Sequence, residues 1–251
     1  MTSVTQRITQ IKQPRGGYLK PKDFIEIVLD DGVELYPEEN IHASLVGLAV
    51  EYMTRYTIGT PAEQAFKISL LGSSIVKQED KARTLLQQVK GLDDQSIFNA
   101  CKLVGYDVCR RAGIFKYRPV EEIHPDEKTI YNVRTMVKRS LAFWEHFGPV
   151  IKEGFTFESG YTQLVTSGDG DYLTEDTLWD FKVSKNAPTN KHTLQLLMYY
   201  ILGRRSIHKE FYGVTQLGIY NPRFNKAYLL EISKIDSSLI KEVSTDVLGV
   251  I

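Results

Sequence analysis

The segment SGDGDYLTEDTLWDFKVSK, Ser167 to Lys185, sets carboxylates and ammonium groups at spacings that could do chemistry. Its second half, TLWDFKVS, is short and β-prone. Asp180 and Lys182 should therefore project from one face of a strand, and Trp179, Phe181 and Val183 from the other. Asp171 closes the Gly-Asp run nine residues before Asp180, and a hairpin through the intervening LTED would bring the chain back beside it. Two acids at one strand edge suit a hard cation. Mg²⁺ takes a few carboxylate oxygens plus waters, can bind a phosphate oxygen, and makes a coordinated water more acidic. A lysine beside that water can orient or deprotonate it, or neutralise charge on a pentavalent phosphate. The chemistry that fits is hydrolysis of phosphodiester bonds.

Simpler accounts of the same residues exist. Gly and Asp are common turn formers, so the GDGD run alone is also a polar loop, and Asp169 is better taken as a turn residue than as a ligand. A calcium loop of the EF-hand kind fails, because the sixth position from Asp169 is Thr174 where the turn needs glycine. An isolated Asp-x-Lys is usually a solvated strand face. What sets this one apart is its company, an upstream Gly-x-x-Asp and a downstream Gln-x-x-x-Tyr.

Gly168-x-x-Asp171, Asp180-x-Lys182 and Gln195-x-x-x-Tyr199 together resemble, in order and spacing, the RecB-like branch of the PD-(D/E)XK nucleases. The resemblance implies a restriction-endonuclease-like α/β fold, a central mixed sheet flanked by helices. It implies a DNA-cutting hydrolase in which Asp171 and Asp180 are ligands of Mg²⁺, with Mn²⁺ able to substitute, and the Phe181 carbonyl is a further ligand. Lys182 would be the catalytic lysine, while Gln195 and Tyr199 would support the site or touch nucleic acid. The family often carries an acid or His on an early helix. Glu51, within ASLVGLAVEYMTR, is the candidate here, with His42 and Glu158 as weaker ones. Lys185, Lys191, Arg204, Arg205 and Lys209 flank the segment and would suit phosphate contacts, as would ordinary solubility. The alternative is an inactive module of the same fold that binds nucleic acid or a protein partner. A role in a phage or mobile element belongs to the same analogy.

The elements that must position these groups follow from pattern. FIEIVLDDGVELYP alternates around Asp31-Gly32 and reads as a hairpin. NIHASLVGLAVEYMTRYTIG has helical spacing, with Asn40 as its cap and Gly59 as its stop. Residues 61–148 read as a mostly helical elaboration, and 150–233 as the catalytic core of a single domain. In that core, strand-like runs surround one helix, NKHTLQLLMYYILGRR, and a last helix starts at Asp236. His192 and His208 lack metal-ligand spacing and read as surface or helix-end residues.

Composition bounds the rest. Lys plus Arg and Asp plus Glu both number 31, so no global field draws the chain to nucleic acid, although a local basic groove can hide in a neutral total. Cys101 and Cys109 lie eight apart in a helix-like stretch and read as buried thiols, which suits a reducing, cytoplasmic home. The N-terminal residues lack an apolar leader, and no run approaches a membrane span. A homo-oligomer is compatible with all of this. Walker, dinucleotide, His-Glu-x-x-His and Gly-x-Ser-x-Gly signatures are missing.

Overall fold

The computed structural model describes residues 2–250. Along the chain come helix α1 (Val4–Gln10), strand β1 (Ile25–Val28), and helices α2 (Ala43–Thr57), α3 (Ala62–Ala65), α4 (Lys67–Ile75), α5 (Glu79–Gln87), α6 (Asp94–Leu103), α7 (Asp107–Arg111) and α8 (Glu127–Phe147). Strands β2 (Lys152–Thr156), β3 (Asp169–Leu173) and β4 (Thr177–Phe181) follow. Then come α9 (Asn190–Arg205), β5 (Gln216–Asn221), β6 (Lys226–Glu231) and α10 (Ser237–Glu242). The chain forms two compact units, a sheet unit of residues 1–29 and 144–251 and a helical unit of residues 30–143. No helix among the described residues is long and apolar enough to cross a membrane.

The sheet unit is α/β, a six-stranded mixed sheet in the order β1-β6-β5-β4-β3-β2. Every neighbouring pair is antiparallel except β4 and β5, which run parallel. A parallel pair needs a crossover, and α9 supplies it. Strand β4 is buried along its whole length, as a central strand covered on both faces must be. On one face Trp179 meets Trp144 and Phe147 edge-on, and Phe181 packs against Tyr172 and Tyr220. Gly218 faces the Trp179 ring, where a Cβ would come within 2.3 Å of it. The opposite face carries Leu173, Leu178, Leu217 and Ile219, which join Leu194, Leu197 and Met198 of α9 in one core. Asp171 and Asp180 alternate in phase with Leu173 and Leu178, so both belong to the face that α9 covers.

Three local expectations are corrected. FIEIVLDDGVELYP is not a hairpin: only Ile25–Val28 is a strand, and it pairs with β6, Ile25 opposite Leu229. The Asp31-Gly32 turn is present, with Gly32 at φ +65° and Gly32 N and Val33 N donating to the Oδ1 atoms of Asp30 and Asp31 as Asx bonds. The chain beyond it is claimed by Arg139, whose guanidinium grips Asp31 at 2.7 and 2.8 Å and donates to Val33 O. Asn40 does not cap α2. His42 does, its Nδ1 accepting from Ser44 N, while Asn40 bonds Thr129, Asp126 and His124. The stretch around the cysteines is broken after Leu103 by a 3₁₀ turn, though both thiols are buried and unbridged.

Gly59 does end α2, at φ +112°, and Asp236 caps α10 by accepting from Ser238 N. The helical unit is organised around one buried carboxylate. Asp107 accepts from Tyr52 OH at 2.6 Å, Ser69 Oγ at 2.5 Å and Arg111 Nε at 3.3 Å, tying α2, α4 and α7 together.

Candidate functional site

The β3–β4 ladder pairs Leu173 with Leu178 and Tyr172 with Trp179. One step further, the same register sets Asp171 against Asp180. At that step a side chain takes over from the backbone: the Phe181 amide donates to Asp171 Oδ2 at 2.8 Å. The two carboxylates therefore share an edge at the end of the hairpin, where β4 runs on toward Lys182, whose amide donates to Tyr220 O of β5.

Asp180 is 1% exposed. An ionised carboxylate so placed needs a partner, and Lys182 Nζ lies 2.8 Å from its Oδ1. Two residues apart on a strand, they point the same way. Asp171 is half-buried, and its Oδ1 receives no hydrogen bond from the described residues. The protein oxygens gathered here are hard donors of the kind Mg²⁺ and Mn²⁺ take. Among the described residues no group of three or more His, Cys, Asp or Glu could hold a metal ion, so a cation here would lean on two carboxylates, a backbone carbonyl such as that of Phe181, and water.

Helix α9 closes the site from above. Gln195 Nε2 donates to Tyr199 OH at 2.9 Å, one turn on, as their spacing of four requires. Burial, reinforced by the charges of Asp171 and Asp180, holds the Tyr199 phenol well above its ordinary range, so it remains a neutral hydroxyl among carboxylates.

Gly168 belongs to this arrangement sterically. A Cβ there would lie 2.9 Å from Val4 Cγ2 and 3.4 Å from Tyr199 Cε1. The carbonyl of Gly168 accepts from Tyr161 OH at 2.7 Å, and that hydroxyl in turn accepts from Phe157 N. Val4 N donates to Ser167 O, so α1 pins the same loop.

Three contributors were not foreseen. Helix α1 carries a capping box between Ser3 and Gln6, a signal legible in SVTQ. Tyr161 left no signal of its own. His192 reads from sequence as a surface or helix-end residue; it is the third residue of α9, its Nδ1 accepting from Thr189 N. It also stands one turn before Gln195 on the same face. Burial, with the Lys182 ammonium nearby, brings its imidazole down to about 4. Neutral at pH 7, it carries its proton on Nε2 and adds no positive charge beside Lys182.

The remaining candidates lie on α2, just beyond β2, and along α9 and the loop before it. Glu51 lies on α2 in the helical unit and pairs with Arg55 at 2.6 Å. His42 is the α2 cap. Glu158 is exposed just beyond β2, with Oε1 3.3 Å from Thr156 Oγ1. Lys185 is exposed in the loop between β4 and α9, and Lys191 in the first turn of α9. Arg204 and Arg205 are at the opposite end of that helix, roughly 20 Å from Lys191 at 1.5 Å per residue. Arg204 stacks on Tyr212 instead. Compared with family models, curated proteins and solved structures, the chain gives no match.

Proposed function

We propose that this chain is a metal-dependent nuclease of restriction-endonuclease-like fold that hydrolyses phosphodiester bonds in DNA. The observation that supports this most is the meeting of Asp171, Asp180 and Lys182 at one strand edge beneath the Gln195–Tyr199 pair. Asp171 and Asp180 would hold Mg²⁺ or Mn²⁺, with the Phe181 carbonyl as a third oxygen. When bound, the ion supplies a Lewis acid that acidifies water and offsets phosphate charge.

The chain's own groups do the rest. Lys182 compensates the charge of the Asp180 carboxylate, and an ammonium one hydrogen bond from that carboxylate is placed to orient a water or to meet a phosphate oxygen. Tyr199 offers a neutral O–H to the same edge, and Gln195 fixes its direction. The hydrophobic packing of α9 on the sheet keeps bulk water from the inner side of Asp180, which strengthens each of these interactions. Glu51 is carried as the early-helix acid on the resemblance alone.

Incubation of labelled DNA with Mg²⁺ or Mn²⁺ tests the reading. Cleavage is expected from the wild type, with Asp171→Asn, Asp180→Asn and Lys182→Met each lowering the rate by at least about a hundredfold. Cleavage undiminished in Asp180→Asn would remove this site from the mechanism. Glu51→Gln in the same assay decides whether that acid takes part. The binding-only alternative draws on the neutral net charge and on an early-helix acid that rests on the resemblance alone. It predicts no Mn²⁺ binding heat that disappears on replacing Asp171.

A further inference from the structure

Residues 108–120 carry four cations, Arg110, Arg111, Lys116 and Arg118, and no acid. Arg111 donates to Asp107 at 3.3 Å and to Tyr52 OH at 3.1 Å. Arg110, Lys116 and Arg118 are exposed and enter no ion pair among the described residues. Between them stand Ile114, 47% exposed, and Phe115, 101% exposed, as open as in an extended chain.

The tip that presents them is braced. Ala112 N and Gly113 N both donate to Val108 O, at 2.8 and 3.0 Å, and Gly113 turns the chain at φ +94°. Lys116 N and Tyr117 N close a 3₁₀ turn onto Gly113 O and Ile114 O. The Tyr117 ring stacks on Tyr106 with centroids 5.9 Å apart, and its hydroxyl bonds Gln78. A single exposed apolar residue needs no explanation. An aromatic ring held out on a fixed turn among uncompensated cations is a different case.

An apolar protein partner would have no use for the cations, and an anionic membrane surface engages a broader apolar face than two side chains. A chain of phosphates with unpaired bases satisfies both features, since every base has a face for the ring and every linkage a charge for a cation. We propose that this tip of the helical unit is a contact surface for single-stranded nucleic acid, Phe115 stacking on an unpaired base while Arg110, Lys116 and Arg118 meet the phosphates. The choice of nucleic acid among polyanions rests on the hydrolytic reading of the sheet unit.

The test is fluorescence anisotropy of labelled poly(dT) with the full chain in EDTA, which separates binding from cleavage. Phe115→Ala should weaken binding about tenfold, and Phe115→Trp should retain it. Neither should shift the melting temperature, because the side chain packs against nothing. Lys116→Gln and Arg118→Gln should each reduce the slope of log affinity against log salt by about 0.7. Equal affinity of Phe115→Ala and wild type for poly(dT) overturns the proposal. So does Phe115-dependent binding to phosphatidylserine vesicles or to duplex DNA in a protein that ignores poly(dT). Phe115-dependent binding in a protein that never cuts supports this surface while sinking the hydrolytic reading. Cleavage with Phe115-independent affinity does the reverse.

Discussion

Replacing Lys182 by Met strips the ammonium from a carboxylate that has no exposed side-chain surface. At 2.8 Å and an effective dielectric of 20, the gross attraction between the two charges is about 6 kcal/mol. Only part of this is lost on truncation, because the lysine side chain is 25% exposed and recovers hydration in the unfolded chain. Breaking a buried pair from one side costs about 3–5 kcal/mol, and partial exposure places this one near the lower end, at about 3 kcal/mol. Asp180→Asn removes the buried charge while keeping its shape, and the lysine it leaves already has 25% of its side chain in contact with water, so its cost should be within about 1 kcal/mol. The double variant should then recover most of what Lys182→Met loses. Urea unfolding of the four proteins at pH 7.5 without divalent ions measures this cycle. The reasoning fails if Lys182→Met costs less than about 1 kcal/mol, or if adding Asp180→Asn rescues nothing.

Two other expectations follow from the same region. His192 has a folded pKa of about 4 against an ordinary 6.5, so the unfolded chain takes up the proton first. That contribution is fully present above about pH 6.5 and is lost as pH falls toward 4. His192→Gln keeps an acceptor at the third helical position for the capping box while removing the titration. Its urea midpoint should therefore fall less than the wild type's between about pH 7 and 5. Gly168→Ala forces a methyl against Val4 and the Tyr199 ring. It should cost about 1–2 kcal/mol by thermal unfolding, and an unchanged melting temperature would mean the loop yields freely.

Much of the sheet unit was legible because its signals are local. Alternation over TLWDFKVS, the LTED turn and the apolar run of α9 each identify an element without knowledge of its neighbours. The Asp-x-Lys pair was legible for the same reason, since a spacing of two on a strand fixes a shared face. The early hairpin misled because FIEIVLDD supplies one strand whose partner is remote in sequence, and because Arg139 captures the turn from 108 residues away. Asn40 has the composition of a cap but is used by the start of α8 through Thr129 and Asp126. His192 and Tyr161 owe their roles to what α9 and the Gly168 loop pack against. Neither residue type nor spacing encodes that.

The pairing of β1 with β6 has a consequence for synthesis. When Ile25 leaves the ribosome, the residue it will face, Leu229, is still about 200 codons away. The N-terminal strand must therefore wait, its edge unsatisfied, while the whole helical unit is made and has time to fold. Closure of the sheet by its first strand therefore comes late in building the protein, followed by the docking of Arg7 onto Asp246 and Val247. Ribosome-bound chains stalled before residue 226 should carry β1 still open to protease.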